Sequence, residues 1–219
     1  MVGRENFEIE LEKVEKLIIQ LAKKTQTQLD NAVKALYDRN TDLANDVIKT
    51  DKELDQLDFS INETAILLIA RQQPVATDLR RLVVAIRMST DLERMADNAK
   101  NIAKAALRLG AEHELIVHGN IDEMREIAIK MIDIAIKAYE NEDISFARKL
   151  AEMDDLIDHM YSSMLTELFE RTATNHLNIE HIMQVAFSGR FVERIGDHAT
   201  NIGEDVMYLV KGESADLNS

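Results

Sequence analysis

Apolar residues recur along this chain at the spacing of one helical face, and polar breaks separate the stretches in which they do so. At 3.6 residues per turn, side chains three, four and seven positions apart share a face. The caps and breaks predict six helices. The predicted helices span residues 5–38, 42–71, 74–108, 120–140, 143–172 and 177–210. The sequence therefore predicts an all-α protein.

The composition supports this fold class. The 219 residues include one proline and seven glycines, and Leu, Ile, Ala, Glu, Lys and Asp dominate. These residues are typical of long amphipathic helices rather than of a turn-rich β protein. Apolar runs such as those at 65–70 and 82–86 are far shorter than the roughly 20 residues that span a bilayer. We therefore expect no direct membrane insertion, and the charged amino terminus predicts no signal peptide.

An internal repeat divides the helices into two sets. Residues 93–103 and 193–203 match without a gap at six of eleven positions, and residues 50–57 resemble 152–159. An internal repeat of this kind indicates that the chain contains two copies of one structural unit. It predicts two tandem, pseudo-symmetric three-helix bundles. The predicted bundles comprise residues 1–110 and 111–219.

Each half contains two pairs of carboxylates, and the members of a pair are four positions apart on one helical face. The pairs are Asp51 with Asp55 and Glu93 with Asp97 in the first half, and Asp154 with Asp158 and Glu193 with Asp197 in the second. Short connections make neighbouring helices antiparallel, and both pairs of a half lie at about the same distance from the turn between them. Apolar residues on the same arcs predict that the pairs face the core. Four carboxylates are thus predicted to converge between two helices, once in each half.

Converging carboxylates on a core-facing surface need cations to neutralise them. The chain has no cysteine, and oxygen ligands suit hard cations such as Mg²⁺, Mn²⁺, Ca²⁺ or ferric iron. We therefore expect a metal site in each bundle, and four acids carry enough charge for a multinuclear one. Asn101 and Asn201, one turn further along, are candidate carbonyl ligands or orienting groups. The alternative is that the acids face solvent or form salt bridges.

The sequence favours few other kinds of chemistry. A net charge of −14 disfavours binding to nucleic acid, which depends on clustered Lys and Arg. The sequence has no Glu-x-x-His pair, no P-loop, no G-x-S-x-G elbow and no Gly-rich dinucleotide turn. We therefore predict no catalytic residue and no enzyme. Two alternatives stay open, a carboxylate-bridged metal storage or redox protein and an inert helical scaffold.

The segment RQQPVATDLR at 71–80, together with DLERMADNAKNI and VERIGDHATNI further on, resembles the PhoU family of phosphate-signalling regulators. The resemblance covers essentially the whole chain. It implies a cytoplasmic, commonly dimeric negative regulator of phosphate uptake and of the phosphate-starvation response, the Pho regulon. The implied partners are the ATPase of the phosphate ABC transporter and a membrane sensor histidine kinase. The protein would then reach the inner face of the membrane only through these partners.

The resemblance also implies metal binding at the family's E(D)xxxD motifs, which fall on the four acid pairs, and it favours multinuclear iron. The second half departs from the pattern at one segment. Residues 171–180 align with 71–80 but lack counterparts of Pro74, Asp78 and Arg80. Any partner contact of this segment is therefore expected from the first half alone. Pro74 itself is expected to begin the third helix.

Overall fold

The computed structural model describes residues 2–112, 117–174, 179–213 and 217, which form six long α-helices and no β-strand. The helices are α1 (Val2–Tyr37), α2 (Thr41–Gln72), α3 (Thr77–Leu109), α4 (Asn120–Asn141), α5 (Ala147–Thr174) and α6 (Ile179–Lys211). A 3₁₀ turn at Ile144–Phe146 precedes α5. The all-α prediction is confirmed. The second-half turn predicted near residue 175 lies outside the described residues. None of the described helices combines the length and the apolarity needed to cross a bilayer.

The turn between α2 and α3 differs from the prediction that Pro74 begins the third helix. After Gln72, Gln73 adopts a left-handed φ of 46° and donates its N–H to the Ile69 carbonyl. Ala76 also has a positive φ, 48°, and α3 starts at the next residue. These two positive φ angles reverse the chain within a few residues. Pro74 therefore lies inside the turn rather than at the first helical position.

Each half is a three-helix bundle in which the third helix packs against the first two. In the first half α3 contacts α1 and α2, and in the second half α6 contacts α4 and α5. The third helices also pack against each other, and α1 contacts α4. The predicted pair of three-helix bundles is thus confirmed, and the two bundles join mainly through α3 and α6.

Buried apolar side chains from both halves form one continuous core. Leu21 and Met88 in the first half, like Met131 and Val192 in the second, are fully buried. Burial of a side chain of this size contributes about 1.5–3 kcal/mol before entropic losses. Because the core is continuous, the division of the chain at residue 110 stays a prediction.

Polar side chains add directional contacts between α3 and α6. Arg87 Nη1 lies 3.1 Å from Asp205 Oδ1, and its guanidinium lies 5.2 Å from the centre of the Tyr208 ring. His198 Nδ1 lies 2.8 Å from Asp91 Oδ1, and both side chains are largely buried. Hydrogen bonds require a defined geometry, unlike apolar contacts. These pairs therefore fix how α3 sits against α6, and with it the placement of one bundle against the other.

Candidate metal centre

The second half brings its four predicted acids together between α5 and α6. One carboxylate oxygen from each of Asp158, Glu193 and Asp197 lies within 4.8 Å of the other two. Asp154, one turn earlier on α5, is 5% exposed. Its Oδ1 lies against Gly196 of α6, where an added Cβ would stand only 2.8 Å away. The absence of a side chain at position 196 therefore makes room for a carboxylate at the helix–helix contact.

Two carboxylate oxygens of this cluster are buried without a hydrogen-bond partner among the residues that the structure describes. They are Asp154 Oδ1 and Glu193 Oε2. The other oxygen of Glu193 accepts from the half-exposed Arg190 on the same helix. A buried polar atom without a partner costs about 1–3 kcal/mol. Oxygens of this kind are suited to coordinate a cation.

Burial, and after it the proximity of the other acids, raises the pKa of three of the four carboxyl groups. Burial, followed by the charge of Asp197, raises the pKa of Asp154 to about 7. The same two causes raise the pKa of Glu193 to about 7, although Arg190 opposes the shift. Burial and Asp197 also raise the pKa of Asp158. A positive charge close to these groups would stabilise their ionised forms, and a hard cation bound by the carboxylate oxygens would supply it.

The first half brings the equivalent acids together but adds a lysine. Lys100 Nζ lies 2.5 Å from Asp51 Oδ2 and also contacts Asp97 Oδ1. Gln28 of α1 donates to the other oxygen of Asp51 at 3.1 Å. The protein itself therefore supplies a cation where the sequence predicts a metal. A metal ion at this position would have to displace Lys100.

The outer part of the first cluster contains an acid that the sequence analysis missed. Asp58 follows Asp55 by three positions on α2 and accepts a hydrogen bond from Ser89 at 2.5 Å. Burial, then Asp97 and then Asp58 raise the pKa of Glu93. Positions three apart share a helical face, so the spacing of Asp55 and Asp58 was a signal for this residue.

In the acid pairs of α2 and α5, only the first residue of each pair is buried. Asp51 and Asp154 are 4% and 5% exposed, whereas Asp55 and Asp158, one turn later, are exposed. The prediction that whole pairs face the core is therefore wrong for Asp55 and Asp158. The shared face lies at the edge of the helix–helix contact, so each cluster runs from a buried end to an open rim. The rim leaves Asp55 and Asp158 accessible from solution.

The two predicted asparagines contact other partners. Asn101 Oδ1 accepts from Lys104 at 3.3 Å, and Asn201 Nδ2 donates to Asp91 of α3 at 3.3 Å. Neither contact involves the carboxylates predicted to share their site. Their role as metal ligands stays a prediction.

The lysine of the first cluster has no charged counterpart in the second. Lys100 aligns with Thr200, which is fully buried and donates its hydroxyl to the Asp197 carbonyl at 2.7 Å. Threonine carries no charge, so the second cluster lacks the ammonium of the first. The difference is visible in the aligned repeats, but the spacing of the acid pairs does not reveal it.

The fold and the acid clusters define an all-α protein of two repeated three-helix bundles, each with carboxylates between its second and third helices. A comparison with protein families narrows this class. The model of the PhoU domain matches residues 18–106 and again residues 121–206. The chain belongs to the PhoU family.

Relatives match along most of their length. The phosphate-specific transport system accessory protein PhoU homolog of Aquifex aeolicus is 38% identical over 204 residues, which are 93% of this chain and 92% of the relative. The accessory protein PhoU of Escherichia coli is 28% identical over 207 residues, with 94% and 86% covered. The crystal structure of PhoU from Pseudomonas aeruginosa has a TM-score of 0.88 at 32% identity and covers 94% of this chain and 100% of that one. The family resemblance seen in the sequence is confirmed.

Proposed function

We propose that this protein is a metal-binding adaptor that negatively regulates phosphate uptake and Pho regulon signalling. The names of its relatives, accessory proteins of the phosphate-specific transport system, support a regulatory role in phosphate transport. They also support the inference that it is not an enzyme. The second cluster supports the metal site. One carboxylate oxygen from each of Asp158, Glu193 and Asp197 lies within 4.8 Å of the other two. Asp154 and Glu193 each have a buried oxygen without a hydrogen-bond partner among the described residues.

Asp158, Glu193 and Asp197 would hold the ion, and Asp154 would supply a fourth carboxylate. Their oxygens suit a hard cation. Iron is favoured by the family resemblance, and four carboxylates carry enough charge for a multinuclear site; Mg²⁺, Mn²⁺ and Ca²⁺ are the alternatives. The first-half site stays a prediction, because Lys100 already neutralises two of its acids.

The ion would act by joining α5 to α6. Four carboxylates repel one another, and a bound cation would convert that repulsion into attraction between the two helices. Because α6 also packs against α3, the spacing of α5 and α6 bears on the surface of both bundles. We propose that this surface, in a cytoplasmic homodimer, binds the transporter ATPase and the sensor histidine kinase. These partners would hold the protein at the inner face of the membrane.

A metal analysis combined with a pull-down tests the proposal. Wild-type protein, Asp197→Asn and the matched first-half variant Asp97→Asn are loaded with iron, desalted and analysed for bound metal. Each is then used to capture the transporter ATPase and the kinase, with and without chelator. We expect wild type and Asp97→Asn to retain iron and capture both partners, and Asp197→Asn to lose both properties.

Three results would contradict the proposal. Wild-type protein without bound metal, with capture unaffected by chelator, would favour the inert scaffold. Retained capture by metal-free Asp197→Asn would show that the ion does not control the partner surface. Catalytic oxidation of ferrous iron, or storage of many ions per chain, would favour the metal storage or redox alternative.

A further inference from the structure

A cleft of about 590 Å³ is lined by residues of α1, α3, α4 and α6 and by none of the predicted metal ligands. Its acidic residues are Glu8, Glu12 and Glu15 of α1, with Glu140 and Glu142 at the end of α4. Apolar side chains from Leu11, Ile19 and Leu209 complete the walls. A volume of this size suits a small organic ligand.

The Tyr139 hydroxyl faces this cleft without a hydrogen-bond partner in the part of the chain that the structure describes. The side chain lines the cleft and is only 5% exposed. Tyr37 stands at a similar place near the end of α1, but its hydroxyl donates to the His118 carbonyl at 2.5 Å and accepts from the Asp122 N–H at 3.2 Å. Buried tyrosine hydroxyls usually find a partner. The Tyr139 hydroxyl is therefore available to a ligand that enters the cleft.

Among the side chains that the structure describes, five acids and two bases line the cleft, so its acids outnumber its bases. Arg81 pairs with Glu142 at 2.6 Å, and Lys16 pairs with Glu12 at 3.6 Å. Glu15 is half-buried and interacts electrostatically with members of both pairs. Burial raises its pKa, Arg81 opposes the shift, and the neighbouring glutamates add to it. A further cation would relieve this repulsion.

The carboxyl end of α4 adds to the negative potential. The end of a helix carries roughly half a negative charge, which a basic residue in the last turn commonly offsets. Such a residue occurs in the last turns of α1, α2, α3 and α6, whereas α4 has none. Tyr139 and Asn141 of that turn line the cleft. A phenolic hydroxyl, carboxylates and a helix end without a basic residue of its own therefore meet in one place.

We propose that this cleft binds an aliphatic di- or polyamine, whose ammonium groups pair with Glu15 and the end of α4 while its methylene chain lies along Leu11, Ile19 and Leu209. The Tyr139 hydroxyl accepts a hydrogen bond from one ammonium group. A single metal ion fits less well, because the cleft's glutamates form no group of three with ligand atoms within 4.8 Å of one another among the described residues. The proposal does not depend on the metal centre, since the two sites share no residue.

Calorimetric titration of the full chain with spermidine, at about 150 mM salt to screen diffuse attraction, tests the proposal. The cleft variants are Glu15→Gln and Tyr139→Phe. The matched control is Glu63→Gln, which removes the same charge from an exposed position on α2 outside the cleft. We expect saturable binding that Glu63→Gln leaves unchanged, that Glu15→Gln weakens about tenfold, and that Tyr139→Phe weakens about fivefold.

The uncharged analogue acetylated at each amine should not bind. Equal affinity of all variants for spermidine, a lack of saturable binding, or equal binding of the acetylated analogue would overturn the proposal. Displacement of spermidine by Mg²⁺ at constant ionic strength would overturn it in favour of a metal site. The melting temperature of each variant checks that weakened binding does not come from unfolding.

Discussion

The two acid clusters lie at equivalent places in the two bundles but differ in their electrostatic balance. In the first cluster Lys100 contacts Asp51 and Asp97. In the second, Asp154 and Glu193 each keep a buried oxygen without a partner in the described chain. The repeated fold determines where the carboxylates lie, whereas residues outside the acid pairs determine which side-chain cation contacts them, Lys100 in the first cluster and Arg190 in the second. The repeat thus predicts that both halves share one backbone arrangement, but it does not predict which cation each acid cluster binds.

The largest difference between the halves is expected in iron affinity. Asp197→Asn removes an oxygen ligand and should weaken iron binding about a hundredfold or more, whereas Asp97→Asn should change it less than about threefold. Titration against a competing chelator measures both values. Equal losses in the two variants would show that both halves bind iron alike and would remove the contrast.

Lys100→Thr makes the first cluster like the second. Without metal, the buried Asp51 loses its ionic partner, and we expect a loss of about 2–3 kcal/mol in the free energy of unfolding. The emptied position should then accept an ion, so the bound metal per chain should rise. Urea unfolding in chelator, followed by metal analysis, measures both effects. Lys104→Thr on the same helix is the control and should cost less than about 1 kcal/mol. Unchanged stability of Lys100→Thr would show that the lysine contact contributes nothing.

The second cluster should make the metal-free protein less stable as pH rises. Asp154 and Glu193 have a pKa of about 7 in the folded protein, against ordinary values of 3.8 and 4.5. The folded state therefore binds more protons than the unfolded state between those values, and stability falls by several kcal/mol as pH rises through this window. The measured quantity is the free energy of unfolding from pH 5 to pH 8, relative to the double variant Asp154→Asn/Glu193→Gln. A difference that is constant with pH would contradict the prediction, and bound metal should remove the slope.

Replacing one aspartate by asparagine should change the free energy of unfolding in opposite directions in the two halves. In metal-free protein at neutral pH, Asp154→Asn removes like-charge repulsion and should stabilise the fold by about 1 kcal/mol. Asp51→Asn weakens the contact with Lys100 and should destabilise it by about 1 kcal/mol. Thermal unfolding in chelator measures both. The same sign in both halves would refute the electrostatic difference between the clusters.

The two tyrosines extend the comparison beyond the acids, with the smallest expected effect. Tyr37→Phe removes a hydroxyl that bonds to two backbone groups and should cost about 1 kcal/mol. Tyr139→Phe removes a hydroxyl without a described partner and should change stability by only a few tenths of a kcal/mol. Melting temperatures without added amine measure the two effects. An equal cost would show that the Tyr139 hydroxyl has a partner within the protein.

Much of the fold could be predicted from local rules. Helical periodicity and caps located six helices, and the match of 93–103 with 193–203 predicted two bundles before any contact was known. The prediction that Pro74 begins the third helix was wrong, because Gln73 and Ala76 adopt positive φ angles. Those angles depend on the packing of the two helices that the turn connects. Neither residue is a glycine, which would have signalled that conformation.

The site could be predicted only in part. Four-residue spacing brought Glu193 and Asp197 onto one face, but it could not show that Asp158 lies at the rim. A small turn of a helix about its axis moves a side chain from core to edge, and periodicity does not resolve that turn. The long, flexible stem of Lys100 also let it reach acids on another helix, which spacing along one helix does not reveal.

Asp197 and His198 are neighbours on α6 and project about 100° apart. Asp197 lies with the acids of α5, and His198 lies against Asp91 of α3. A rotation of α6 that brings Asp197 closer to an ion must also move the imidazole against the first bundle. If the second repeat holds the proposed ion, a protein that touches only the first repeat would therefore respond to it.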